Sequence, residues 1–260
     1  MELVRYSADG PVARVTIDRV ERHNALSYQV MGELLEAFAT AQDDPDIRVV
    51  VLTGAGEKAF CAGADLGGLG DNTGAAGAHE ARGQVAELFT ALYDLGKPTI
   101  ARVKGYCLAG GFGLALACDI VVASDDSSFG TPEVDIGLWP YMITVPLLRS
   151  MPPKTVLELM MTGRRVKADE GLRMGFLSRV VPASELDATV DDLAATLAAK
   201  SPIGIRWGRD AFYRVLDMYG DSGSALAYLH TMLTVSTTTD DAAEGLAAFA
   251  DKRKPTWSGR

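Results

Sequence analysis

The sequence has few of the residues that build cross-links or metal sites. Only three cysteines, Cys61, Cys107 and Cys118, occur among 260 residues, and no two of them form a C-x-x-C pair. The three histidines are scattered and show no metal-ligand spacing. An odd number of isolated cysteines argues against a disulfide framework and against a zinc site. We therefore expect buried free thiols, no metal, and a reducing compartment, which predicts a cytoplasmic protein.

The sequence also lacks membrane and targeting signals. No run approaches the roughly 20 apolar residues of a membrane span, and residues 1–10 contain no apolar segment, so we expect no secretory signal. The net charge of −9 makes the chain a poor partner for nucleic acid or an anionic membrane. An anionic ligand would need a local basic patch, for which Lys252, Arg253 and Lys254 are one candidate.

Several familiar catalytic signatures are missing. There is no G-x-S-x-G segment, no Walker lysine motif and no Ser/His/Asp arrangement typical of a protease. Residues 54–59 (GAGEKA) fit the pattern G-x-G-x-x-A after a strand, but a dinucleotide site needs a long helix directly afterwards. Four glycines between positions 63 and 70 exclude that helix, so we discount a nicotinamide or flavin cofactor.

The apolar pattern indicates an α/β fold. With 48% hydrophobic residues the chain can bury a full core. Strands are expected at 12–17, 47–52, 98–103, 119–123 and 176–181, and a short buried helix at 110–117. Residues 71–78 are small and polar and predict a mobile loop. The last third is helical, so we divide the chain near Pro182 into a core of residues 1–182 and a helical region of residues 183–260.

Two small-residue segments could bind an anion. Residues 60–66 (FCAGADL) follow a buried strand, and consecutive amides in such a turn can form an anion-binding nest, although ordinary tight connections look the same. Residues 104–113 (KGYCLAGGFG) lead into an apolar helix, where a glycine pair exposes N–H donors, although close packing also selects glycine. Both segments in one chain favour a two-donor oxyanion hole.

A third segment, residues 128–138 (SFGTPEVDIGL), contains a candidate acid–base residue. Glu133 follows Pro132 among apolar neighbours, and a partly desolvated carboxylate has the raised pKa that suits proton transfer. A glutamate after proline is, however, more often a solvated turn residue. Trp139 and Tyr141 are equally consistent with an acyl pocket and with a core.

These three segments, in this order and spacing, resemble the crotonase (enoyl-CoA hydratase/isomerase) superfamily from about residue 12 to residue 257. Residues 24–26 (NAL), 168–181 and 244–255 add to the resemblance. It implies a crotonase (ClpP-like) spiral of ββα units with a helical C-terminal trimerisation region. It also implies homotrimers or dimers of trimers, and an acyl-CoA thioester as substrate with no other cofactor.

The resemblance also implies roles for particular residues. The oxyanion donors correspond to the amides of Ala64 and Gly110, and the acid–base group to Glu133. Contacts with the coenzyme A part fall on Ala25, Ala62, Asp65, Phe249 and Lys252, the last two at the nucleotide end of the chain's own site or of a neighbouring subunit's site. The acyl pocket corresponds to Leu138, Trp139 and Tyr141.

One position departs from the family's hydratase pattern. Typical hydratases carry two glutamates, and the position of the first is Gly113 here. The family's single-glutamate members include isomerases that shuttle one proton between two carbons. Three hypotheses therefore stay open: a hydratase-type lyase, a double-bond isomerase, and an acyl-CoA-binding protein without catalysis.

Overall fold

The computed structural model describes residues 1–65, 74–218 and 220–260. Ten strands and ten helices are found there. The strands are β1 (Val4–Asp9), β2 (Val12–Ile17), β3 (Val49–Gly54), β4 (Ala59–Cys61), β5 (Thr99–Val103), β6 (Tyr106–Leu108), β7 (Ile120–Ser124), β8 (Ser128–Gly130), β9 (Val166–Lys167) and β10 (Arg179–Val181). The helices are α1 (Tyr28–Asp43), α2 (Gly74–Tyr93), α3 (Gly110–Ala117), α4 (Thr144–Ser150), α5 (Pro153–Thr162), α6 (Ala168–Met174), α7 (Leu186–Ala198), α8 (Pro202–Asp217), α9 (Ser222–Ser236) and α10 (Asp240–Ala250). Among these helices, none combines the length and apolar character needed to cross a bilayer.

The strands form two sheets that the chain builds in alternation. The larger sheet has the order β1-β2-β3-β5-β7-β10, with β1 antiparallel and the rest parallel; the smaller has the order β4-β6-β8-β9. Each of β3, β5 and β7 is followed at once by a strand of the smaller sheet, and the chain then passes through helical structure to the next pair. The predicted ββα spiral is confirmed.

The larger sheet is covered on both faces, which explains its continuous apolar runs. All six residues of β3 are buried. Val50 and Leu52 face the main core with α1, α2 and α3, whereas Val49 and Val51 face a second cluster that contains Leu186 of α7. The last strand ends at Val181, close to the boundary predicted near Pro182. Helix α7, which follows that boundary, nevertheless packs on the larger sheet. The division of the chain near Pro182 therefore stays a prediction.

Local signals set several helix ends as predicted. The Ser27 hydroxyl accepts a hydrogen bond from the amide of Val30 at 3.2 Å and caps α1. Gly163 ends α5 in the left-handed region, at φ 63°. The buried helix predicted at 110–117 is α3.

Other boundaries differ from the sequence prediction. Strand β1 was not predicted, because an exposed edge strand pairs through its backbone and has little apolar pattern; only Val4 is buried. The late strand is confined to Arg179–Val181. Of the loop predicted at 71–78, residues 71–73 lie outside the described residues. Residues 74–78 belong to α2 instead, because alanine has the highest helix propensity.

An ion pair between a buried arginine and a half-buried aspartate ties the C-terminal helices to the core. Arg209 of α8 contacts the carboxylate of Asp119 at 2.8 Å and donates to the carbonyl oxygens of Leu92 and Tyr93 at the end of α2. The hydroxyl of Tyr213 donates to Asp119 at 2.6 Å. Arg209 thus satisfies helix-terminal carbonyls that would otherwise be buried without partners.

Candidate active site

Two turns meet where neighbouring strands of the smaller sheet end. Strands β4 and β6 are parallel and pair Cys61 with Cys107, so the turns that follow them lie side by side. Gly63 has φ 100°, and a Cβ there would lie 2.5 Å from the Cβ of Ala109. Ala109 itself has φ 50° directly before α3, an uncommon conformation for a residue with a side chain. The close approach therefore requires glycine at position 63.

Each turn presents one amide that has no acceptor among the residues that the structure describes. Within the described part of the chain, neither the Ala64 N–H nor the Gly110 N–H donates to another residue, whereas the amide of Asp65 donates to Leu26 and that of Phe112 to Ala109. The Ala64 nitrogen lies 3.8 Å from the point where a Cβ on Gly110 would be. Two free donors this close, one of them at a helix N-terminus, can share a single oxygen acceptor.

The segment before α1 holds the first turn in place. Leu26 forms a parallel bridge with Ala64, and its amide donates to the Gly63 carbonyl at 2.8 Å. Asn24, in the left-handed region at φ 58°, donates from its side chain to the carbonyls of Ala55 and Ala59. Asparagine tolerates this backbone conformation, which explains its place in the NAL segment.

Packing of three aromatic rings fixes the second turn relative to Glu133. Phe112 of α3, Phe129 of β8 and Phe176 lie with ring centroids 5.1–5.5 Å apart. Glu133 follows β8 in a short 3-10 turn, Pro132–Ile136, which Gly137 ends at φ 75°. The turn is thus attached to a rigid part of the core.

The Glu133 carboxyl group has the environment of a proton-transfer group. Its Oε2 atom is buried and has no hydrogen-bond partner among the described residues. Burial raises the pKa of Glu133. A buried carboxyl group without a partner costs folding free energy, and such groups cluster at functional sites.

The two amides and Glu133 line one cavity of about 710 Å³. Its lining includes three acidic residues, Asp65, Glu133 and Asp135, and no basic residue of the described chain. The Asp65 carboxylate is paired with Arg19 at 2.6 Å. The remaining lining is mostly apolar, which suits an acyl chain.

Eight of the residues predicted for the site lie around this cavity: Ala62, Ala64, Asp65, Gly110, Glu133, Leu138, Trp139 and Tyr141. The other three predicted residues, Ala25, Phe249 and Lys252, are not among its described lining. Ala25 is the neighbour of Leu26, and its carbonyl accepts from Arg19 at 3.3 Å. Phe249 is 85% exposed on α10, and Lys252 is exposed just beyond that helix.

Other lining residues were missed, among them Met31, Val85, Met142 and Ile143. Met31 and Val85 lie on helical stripes that predict a core, and no sequence signal separates a core stripe from a cavity wall.

Gly113 does not line the cavity. A Cβ there would lie 2.4 Å from the Cγ2 of Ile143 and 2.9 Å from the Cζ of Phe89.

The cysteines are free and buried, as predicted. Burial raises the pKa of Cys61 to about 12, which keeps its thiol protonated at neutral pH. Across residues 1–65, 74–218 and 220–260, no group of three His, Cys, Asp or Glu side chains could hold a metal ion.

Solved structures define the class of protein. An enoyl-CoA hydratase from Bacillus anthracis has a TM-score of 0.93 and 31% identity, with 99% of this chain and 100% of that chain covered. An enoyl-CoA hydratase from Mycobacterium smegmatis has a TM-score of 0.93 and 32% identity, with 98% of each chain covered. The fold is therefore the crotonase fold, and the predicted resemblance is confirmed.

The sequence comparisons identify the family. The model of the enoyl-CoA hydratase/isomerase family matches residues 7–260, and the chain belongs to this family. A carnitinyl-CoA dehydratase from Proteus mirabilis (strain HI4320) is 38% identical over 258 residues, with 96% of each chain covered. A carnitinyl-CoA dehydratase from Salmonella typhi is 37% identical over 268 residues, with 100% of this chain and 99% of the relative covered.

Proposed function

We propose that this enzyme acts on an acyl-CoA thioester through an enolate, with Glu133 as its single acid–base group. One observation supports the proposal above the others. The Oε2 atom of Glu133 is buried and has no hydrogen-bond partner among the described residues, and this side chain lines the same cavity as the two amides that have no acceptor in the described part of the chain. Removal of a proton from a carbon next to a carbonyl group needs two elements, a base for the proton and hydrogen-bond donors for the oxyanion that forms.

The proposed steps use only this chain's groups. The thioester oxygen accepts hydrogen bonds from the amides of Ala64 and Gly110. Glu133 removes a proton from the carbon next to the thioester carbonyl. The electron pair of that C–H bond forms a C=C bond, and the π pair of the carbonyl moves to the thioester oxygen as an enolate. The raised pKa of Glu133 makes the carboxylate a stronger base for this step. The proton then returns to a different carbon, so no resident cofactor is required.

The geometry around Gly113 favours double-bond isomerisation. A hydratase of the two-glutamate kind needs a second carboxylate to position water, and Gly113 has neither a side chain nor space for one. One carboxyl group is sufficient to move one proton between two carbons. Hydration or dehydration is the second candidate, which the similarity to the carnitinyl-CoA dehydratases favours. The buried Oε2 atom of Glu133, which has no partner among the described residues, argues against a binding protein without turnover, because burying an unpaired polar atom is costly.

A mass-resolved assay with 3-enoyl-CoA and 2-enoyl-CoA thioesters of several chain lengths tests the proposal. We expect isobaric conversion of the 3-enoyl series into the 2-enoyl series. A product heavier by one water from the 2-enoyl series would instead support the lyase candidate. Absence of change in both series, with normal binding of the thioesters, would contradict the proposed enzyme.

We also propose that the protein is a homotrimer or a dimer of trimers, as the family resemblance implies. The C-terminal helices support this, because several of their large apolar side chains are exposed: Phe212, Leu226, Leu233, Leu246 and Phe249. Apolar exposure on this scale is typical of an interface. We expect light scattering to give three or six times the chain mass; the mass of one chain would contradict the proposal. Phe249 and Lys252, away from the chain's own cavity, would then be available to a neighbour's site.

A further inference from the structure

Gly113 is enclosed by side chains from two other elements. It lies in α3 and is buried, and its amide donates to the Ala109 carbonyl at 3.1 Å. Ile143, the residue before α4, would be 2.4 Å from a Cβ at this position, and Phe89 of α2 would be 2.9 Å away. Both distances are shorter than real Cβ contacts, so Ile143 and Phe89 occupy the space that any side chain at position 113 would need.

Ile143 also forms part of the cavity wall. It lines the cavity together with Glu133, yet only 3% of its surface is exposed. Its backbone carbonyl accepts from the amide of Leu147 at 3.1 Å, so it is already used within α4. A water molecule in a protein needs two to four polar partners and room for its volume. Neither the Ile143 side chain nor the neighbouring Phe89 ring offers a polar partner.

We propose that Ile143 is a specificity-determining residue, which limits the enzyme to proton transfer by excluding water from the Gly113 side of the cavity. This inference rests on the proposed enolate chemistry. Hydration requires water to add to the β-carbon of the conjugated 2-enoyl thioester. With no water held on this side, no C–O bond forms, and the enolate formed by Glu133 is protonated on carbon. Gly113 and Ile143 act as a pair, because glycine gives the isoleucine its space and the isoleucine fills it.

A stability cycle tests the packing part of the proposal without substrate. Gly113→Ala is expected to lower Tm by roughly 5 °C, because the methyl group overpacks the site. Ile143→Ala should lower Tm through a cavity, but the double variant should lose clearly less than the sum of the two single losses. The control pair is Gly113→Ala with Leu138→Ala, another cavity-wall residue, which should be additive. Additivity for the Gly113 and Ile143 pair would overturn the pairing.

The product ratio tests the chemical part. In Ile143→Ala we expect the ratio of hydrated to isomerised product to rise by about tenfold or more, and to rise further in Gly113→Glu/Ile143→Ala, where a carboxylate is added. Leu138→Ala should change the rate but not this ratio. An unchanged ratio in Ile143→Ala, or ready hydration by the wild type, overturns the role of Ile143 while leaving enolate chemistry intact. If the wild type converts neither thioester series, the proposed function and this chemical role both fail, and the stability cycle still decides the packing.

Discussion

Replacement of Glu133 by glutamine is expected to lower kcat by about 10³-fold, within the range of about 10²–10⁴ found for general acid–base groups. Glutamine has nearly the same shape as glutamate but cannot take a proton from carbon. Because the Oε2 atom of Glu133 has no hydrogen-bond partner among the described residues, placing an amide nitrogen there breaks no hydrogen bond of the described chain. Binding of the thioester depends mainly on the cavity and the two amides, so KM should change little.

Initial rates together with calorimetric binding of a substrate analogue measure this effect. The matched control is Asp135→Asn, which neutralises a second carboxylate of the cavity lining that is exposed rather than buried. The control should retain activity within about tenfold of the wild type. A Glu133→Gln variant that turns over at a similar rate to the control would rule out Glu133 as the acid–base group.

The direction of the Glu133 pKa shift adds a pH dependence to the same prediction. Burial raises this pKa, so kcat/KM should rise with pH through the raised value, since only the ionised group accepts a proton. The folded state also binds this proton more tightly than the unfolded state. The associated stability is therefore present at low pH and is lost as pH rises through the raised pKa. Glu133→Gln removes that loss and should be at least as resistant to thermal unfolding as the wild type at neutral pH.

Replacement of Gly110 by proline is expected to lower kcat/KM by about 10²–10³-fold relative to Gly110→Ala, because proline removes an oxyanion donor. Position 110 is the first residue of α3, where the fixed φ of proline is compatible with a helix. No protein hydrogen bond of the described chain is lost, since the Gly110 amide has no acceptor there. The effect should therefore appear in the reaction rather than in the fold.

The alanine variant controls for the Cβ that proline adds, whereas the Cδ of proline takes the place of the N–H hydrogen itself. A Cβ at position 110 would have its nearest neighbour, the Cδ1 of Leu26, at 3.6 Å, which is ordinary van der Waals contact. Both variants carry this Cβ, but only Gly110→Ala keeps the N–H. Thermal unfolding of the two should be similar to that of the wild type. Equal losses of activity in both would mean that the methyl group blocks the cavity and that the N–H does not contribute.

Features that depend on neighbours along the chain could be predicted from the sequence. The cap at Ser27, the helix end at Gly163 and the bounds of α3 follow from side-chain hydrogen bonds, glycine conformation and a short apolar run. Burial of β3 on both faces follows from its continuous apolar pattern. The same local chemistry identified the two turns and Glu133 as candidates, because small residues and an acid among apolar neighbours are visible as residue types.

Features that depend on contacts between distant segments needed the tertiary structure. Parallel pairing of β4 and β6 brings Ala64 and Gly110 together, 46 residues apart in the sequence, and leaves their amides without an acceptor among the described residues. No local pattern indicates that Ile143 fills the space at Gly113, since this is a contact across 30 residues. The sequence by itself determined which groups the site contains. Only the packing of the spiral decided which amides lack an acceptor among the described residues, which carboxyl oxygen is buried, and that no side chain fits at position 113. These features depend on side-chain contacts over long sequence separations, and therefore on the whole core.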